Sequence, residues 1–124
     1  MNDGVATRTD TARIARLRLH PVIHRVPDSH AYGMARGLTA VRGATIVEVE
    51  TRDGITGFGE AWGPPEFVAG YEGFVSRLWL GARLTDHAVL FARVIAGNYH
   101  LGLSNGLMAL LSGVDIAVHD ALGK

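Results

Sequence analysis

A chain of 124 residues is one domain's worth of protein, long enough for a modest core. Its twelve basic residues balance twelve acidic ones, so net charge gives no general pull toward nucleic acid or an anionic membrane. Cysteine is absent and the single Lys is Lys124, which excludes disulfides, thiol catalysis, Cys-ligated zinc and an internal lysine base.

Residues 1–11 are polar, lack an apolar run and read as a disordered tail rather than a secretory leader. The longest stretch free of Asp, Glu, Lys and Arg runs from Val94 to Val114. Asn98, His100, Ser104, Asn105 and four glycines interrupt it, so it does not read as a membrane span. The expected location is the cytoplasm.

Arg16-Leu17-Arg18-Leu19-His20 alternates as a strand with one wet face does, and Pro21 is expected to stop it. Residues 21–43 show no period and hold two prolines and three glycines. They read as a long loop, basic apart from Asp28, and long loops are often functional. Residues 44–51 alternate again, with Thr45, Val47, Val49 and Thr51 on one side and Glu48 and Glu50 on the other. Asp53-Gly54 marks a tight turn, and residues 55–60 return as a third strand whose glycines imply a close approach by another backbone.

Helical spacing follows. Pro65 opens a first helix with Phe67, Tyr71, Phe74 and Leu78 at its period, weakened by Gly70 and Gly73. A second helix carries His87, Leu90, Phe91 and Val94, with Asp86 as its expected cap and Gly97 as its end. A third is capped by Ser104 or Asn105 and closed by Gly123. The predicted fold is therefore α+β: a three-stranded antiparallel meander followed by a bundle of about three helices. The third helix has the stripe Leu107, Leu110, Leu111, Val114 and Val118, and Met108, Ile116 and Ala117 spread apolar character to other faces. A helix apolar nearly all round is normally covered all round, so a partner is expected over Leu107–Leu122.

The candidate chemistry is sparse. Asp115 and His119 stand four apart on one helical face, as a helix ion pair or an interdomain hydrogen bond more readily than as metal ligands. His20, His24 and His30 lack nearby carboxylates and do not make a convincing metal site. Gly57-Phe58-Gly59-Glu60 lacks the third glycine and the helix that a dinucleotide fingerprint needs. The serines form no nucleophile elbow. No catalytic residue and no metal ligand is assigned in this chain.

Two motifs carry a resemblance. Asp53-Gly54-Ile55-Thr56-Gly57-Phe58-Gly59-Glu60-Ala61 resembles the hairpin and third strand of the N-terminal domain of the enolase superfamily, of the mandelate racemase/muconate lactonizing enzyme type. Ser112-Gly113-Val114-Asp115-Ile116-Ala117-Val118-His119-Asp120-Ala121-Leu122-Gly123-Lys124 resembles the helix that leads from that domain into a barrel. The departure is His119, where the family usually has Trp before the Asp.

The resemblance implies that residues 12–124 are a capping domain and that a C-terminal (β/α) barrel, absent from this chain, carries Mg²⁺ and the acid/base residues. The complete enzyme would take the proton α to the carboxylate of a hydroxy-acid or sugar-acid, as a dehydratase, racemase or cycloisomerase. The cap would supply specificity and exclude water through loops at residues 21–43 and 60–66. Arg25, Tyr32, Met34 and Arg36 in the first loop and Trp62 in the second are the expected substrate-facing residues. The expected partners are the barrel or another subunit along Leu107–Leu122, a small anionic substrate, and further copies in a homo-oligomer, with no nucleic acid and no membrane. A second reading keeps the fold but makes the chain a standalone interaction or small-ligand-binding module.

Overall fold

The computed structural model describes residues 12–124. The expected tail at 1–11 lies outside them. Five strands come first: β1 (Ile14–Arg25), β2 (Tyr32–Met34), β3 (Gly37–Thr39), β4 (Val41–Thr51) and β5 (Thr56–Trp62). Four helices follow: α1 (Pro65–Ala69), α2 (Glu72–Trp79), α3 (His87–Gly97) and α4 (Gly106–Leu122). Strands β1, β4 and β5 form one antiparallel sheet in that order, and β2 and β3 form a small hairpin of their own. This is the predicted α+β layout of a three-stranded meander followed by helices.

The alternation in β4 sorts its side chains as predicted. Thr45, Val47, Val49 and Thr51 are buried against the helices, while Glu48 and Glu50 face the other side. Across from them, β1 presents Arg16, Arg18 and His20. Arg18 reaches Glu48 at 2.7 Å and Glu50 at 3.2 Å, and His20 Nε2 lies 2.6 Å from Glu48 Oε2. The His20 hydrogen bond, followed by the charge of Arg18, holds the Glu48 carboxyl below its usual range. The outer face of the sheet is thus a ladder of opposite charges, and its inner face is the core floor.

Helix α4 lies on that floor. Leu107, Leu110, Leu111, Val114, Ala117, Val118 and Ala121 are all buried, within a core that includes Val47, Val49, Ala61, Val68, Val75, Trp79 and Val94. The glycines of β5 make the close approach possible. A Cβ on Gly57 would overlap the Ala117 carbonyl and one on Gly59 the Gly113 carbonyl. In return, a Cβ on Gly113 would stand 2.8 Å from Val47 Cγ2. Strand and helix therefore touch backbone to backbone, as the glycines of that strand imply. Asn105 caps α4, its side-chain oxygen accepting from Leu107 N at 2.9 Å and Met108 N at 3.2 Å. At the far end Asp120 accepts from Phe58 N at 2.9 Å and from Lys124 Nζ at 2.8 Å, tying the last turn to β5.

Four expectations are corrected. Pro21 does not stop β1, which runs on to Arg25 in register with β4. As an edge strand, β1 can leave the missing proline donor on its open side. Residues 21–43 are accordingly no unstructured loop: β1 and β4 extend past the core as a two-stranded ribbon, and β2–β3 folds at its end. The predicted first helix is two, because the chain breaks at Gly70-Tyr71 between α1 and α2, and Phe67 points outward while Val68 is buried. Asp86 precedes α3 without capping it through its side chain. It ends a 3-10 turn (Leu84–Asp86), with φ −86° and ψ 0°, instead of the extended backbone a side-chain cap needs. No helix among the described residues is long and apolar enough to cross a membrane.

Candidate functional site

Strand β5 ends at Trp62, and the backbone then turns sharply through Gly63, whose φ of +113° suits glycine. Pro64 and Pro65 follow and start α1 at once. Two glycines seat this short helix. A Cβ on Gly43 would stand 3.0 Å from Pro65 Cδ, and one on Gly106 would stand 2.8 Å from the Phe67 carbonyl oxygen. The helix is wedged between β4 and the start of α4, and Trp62 is left standing out at 80% exposure.

Trp62 is the ridge between two hollows. One, of about 400 Å³, is lined by Trp62, Phe67, Leu103, Met108 and Ala109, with Glu60 and Ser112 among its polar groups. The other, of about 420 Å³, is lined by Ile23, Tyr32, Val41, Arg42 and Glu66, with Trp62 on its edge. Phe67 and Leu103 are exposed, as are Ile23 and Tyr32. A run of exposed apolar side chains rimmed by polar ones marks a surface meant to be covered.

Of the sequence-predicted residues, Tyr32 and Trp62 meet at the second hollow. Arg25 ends β1 opposite Val41 and is exposed. Met34 and Arg36 stand at the tip of the β2–β3 hairpin, outside both hollows. Arg42 counts among the basic residues of the 21–43 segment but not among the expected substrate-facing ones, and Phe67 and Leu103 are not expected at a site. Arg42 lies with its guanidinium 3.2 Å from the centroid of the Tyr32 ring, a cation–π pair that holds a positive group at the hollow. Its signal is its charge, in a segment where Asp28 is the one acid. Phe67 was read as a core position because a longer helix was expected there. Trp79 is 1% exposed and lies in the core.

The hollows hold apolar surface, one arginine (Arg42) and two glutamates (Glu60 and Glu66), with no histidine or lysine among their lining residues. Among the described residues, neither Ser104 nor Ser112 has a histidine or carboxylate in hydrogen-bond contact. Elsewhere, Asp115 pairs across helices with His87, Nδ1 to Oδ1 at 2.9 Å, as well as lying 3.6 Å from His119. These three residues are the one group of three or more His, Asp or Glu side chains in metal-ligating range among the described residues. Two imidazoles and one carboxylate do not fit Mg²⁺, which takes oxygen ligands. Among the described residues His20, His24 and His30 do not gather into such a group, although His20, contrary to expectation, has a carboxylate beside it in Glu48 across the sheet.

No family model matches the chain. Known structures do. A mandelate racemase/muconate lactonizing protein from Herpetosiphon aurantiacus superposes with a TM-score of 0.73 at 21% identity, over 90% of this chain and 31% of that one. A member of the enolase superfamily from Polaromonas sp. JS666 gives 0.69 at 30% identity, over 90% of this chain and 30% of that one. The chain belongs to the mandelate racemase/muconate lactonizing branch of the enolase superfamily. It corresponds to the N-terminal domain of that family. In sequence it is 30% identical over 102 residues to the L-rhamnonate dehydratase of Saccharopolyspora erythraea, covering 81% of this chain and 25% of that protein. It is 32% identical over 95 residues to a Streptomyces coelicolor protein named "Probable glucarate dehydratase", covering 64% of this chain and 22% of that protein. This N-terminal domain thus spans about a quarter of the length of the curated relatives it matches.

Proposed function

We propose that this domain is the cap of a Mg²⁺-dependent enolase-superfamily enzyme and that its function is specificity, not chemistry. The observation that carries the reading is the pair of hollows about Trp62: exposed, mostly apolar, with Arg42 held on Tyr32, and with no histidine or lysine in their lining. Such a surface suits the edge of an active site whose reacting groups stand on another domain. In this reading a (β/α) barrel outside the chain supplies the metal ligands and the groups that take a proton α to a carboxylate. The cap closes over it, excludes water and selects the substrate.

The relatives and the site both support a hydroxy-acid or sugar-acid substrate. Both curated relatives are named for dehydration of a sugar acid. In this reading Arg42 would meet the carboxylate, the C–H face of the chain would lie on Tyr32 or Trp62, and Glu60 or Glu66 would accept from its hydroxyls. Arg25, Met34 and Arg36, on the ribbon and hairpin tip, are assigned to the outer part of the lid. Residues such as Ile116 and Leu122, exposed on α4, are assigned to the contact with the barrel or a second subunit of a homo-oligomer. A cytoplasmic enzyme of small anionic substrates is the setting this reading implies.

The test is the complete reading frame through and beyond codon 124, expressed and assayed with Mg²⁺ against a panel of aldonic, aldaric and other hydroxy-acids. Turnover is expected from the complete enzyme and none from residues 1–124. Trp62→Ala and Arg42→Ala should each raise KM several-fold and change kcat less. Replacing Arg25 and Arg36 together by Ala should also raise KM for an anionic substrate. Turnover by residues 1–124 alone would overturn the assignment of the chemistry to another domain. Unchanged KM in all these variants would remove the hollows from the active site.

A further inference from the structure

We propose that His87, Asp115 and His119 form a binding site for a divalent transition ion of the zinc type, which clamps α3 to α4. His87 is the first residue of α3, and Asp115 and His119 are one turn apart on α4. One ligand atom from each residue can be chosen so that all three lie within 4.8 Å of one another. The rings of His87 and His119 meet edge-on with centroids 4.4 Å apart. Two residues of one helix and a third from another, 28 positions away in sequence, converge only because the helices pack here.

The local hydrogen bonds prepare the ligands. His119 Nδ1 lies 2.9 Å from the Asp115 carbonyl oxygen. A carbonyl can only accept, so Nδ1 carries the proton and Nε2 is left with its lone pair, as a metal ligand needs. Asp115 Oδ1 accepts from His87 Nδ1–H, and binding exchanges that hydrogen bond for two bonds to the ion, with the Nδ1 proton lost to solvent and Nε2 protonated in its place. Zinc holds N and O ligands at about 2.0–2.2 Å, which sets tetrahedral ligand atoms roughly 3.3–3.6 Å apart. The remaining contraction falls to the side-chain torsions of His87, Asp115 and His119, the last of them 57% exposed. Two imidazoles and one carboxylate select zinc, cobalt or nickel over Mg²⁺ or Ca²⁺. Three protein ligands leave a fourth position to water on the exposed side. The positive end of α3 opposes a cation, and the full charge of Asp115 offsets it.

The site is independent of the proposed reaction, and its test needs no turnover. The chain is titrated with Zn²⁺ by calorimetry in a non-chelating buffer, and its melting temperature is followed with Zn²⁺, Co²⁺ or Mg²⁺. One Zn²⁺ per chain, a raised melting temperature and intense tetrahedral Co²⁺ absorption are expected, with no shift from Mg²⁺. H119Q should keep the metal-free melting temperature, since its ring is exposed. Loss of an outer-shell partner already costs about 10–100-fold in metal affinity, so H119Q should weaken Zn²⁺ binding by at least that. D115N should do the same, and H30N/H100N should bind as the unaltered chain does. Absence of stoichiometric binding, equal binding by H119Q, or loss of binding in H30N/H100N would each overturn the proposal.

Discussion

Gly59 faces the Gly113 carbonyl so closely that no Cβ fits between β5 and α4. Gly59→Ala must push the helix off the sheet or bend the strand, and overpacking of this kind costs about 1–3 kcal/mol. Chemical denaturation should show that loss, and Gly73→Ala, whose Cβ would meet open space in α2, should instead be neutral or stabilising. Asp120 works at the same scale by charge. Its hydrogen bond to Lys124, and then the one from Phe58 N, lowers its carboxyl from the ordinary 3.8. A carboxyl lowered in the folded state contributes stability above 3.8 and loses it as pH falls through the lowered value. Asp120→Asn should therefore lower the melting temperature slightly at neutral pH, and the gap from the unaltered chain should close as the pH drops below 3.8. A gap independent of pH would mean that the Asn amide loses packing, not charge.

At the scale of the element, α4 is held within the chain by one face alone. Leu110 and Val114 are fully buried, while Ile116 is half exposed. Leu110→Ala should cost about 2–5 kcal/mol. Ile116→Ala should stay within about 0.5 kcal/mol in this chain, as surface changes do. Urea titration of both checks the contrast. This helix also marks what sequence alone could deliver. Its stripe and its end were legible, and its cap to within Ser104 or Asn105, because each is local and is read within a few residues. The strand β4 was legible for a related reason, since one buried face imposes alternation from Thr45 to Thr51. The ribbon was not, because Val22, Ile23, His24 and Arg25 are all exposed and no face is there to impose a period. The break between α1 and α2 depends on Gly70-Tyr71 and on how α1 seats beside Gly43 and Gly106, which is tertiary. The same holds for the site. Trp62 and Tyr32 stood out by residue type, but Arg42 on Tyr32, and His87 on Asp115, exist only once distant segments meet.

At the scale of the molecule, the two tryptophans report opposite environments, which gives the capping proposal a physical test. Trp79 lies in the core and Trp62 stands in solvent between the hollows. In the isolated chain, acrylamide should quench the Trp62 fluorescence and spare Trp79, and Trp62→Phe should remove the quenchable part. A cap that closes over an active site must take Trp62 out of water. In the complete enzyme, with a substrate or inert substrate analogue bound, Trp62 should become protected and its emission should shift to shorter wavelength. Replacing any tryptophans beyond residue 124 with Phe keeps the signal assignable. Arg42→Ala, by weakening the hold on an anionic ligand, should require more ligand to reach the same protection. If Trp62 stays as quenchable in the ligand-bound enzyme as in the isolated chain, the hollows do not face the substrate. The apolar surface around Trp62 would then belong to a contact between subunits, and protection should instead follow protein concentration.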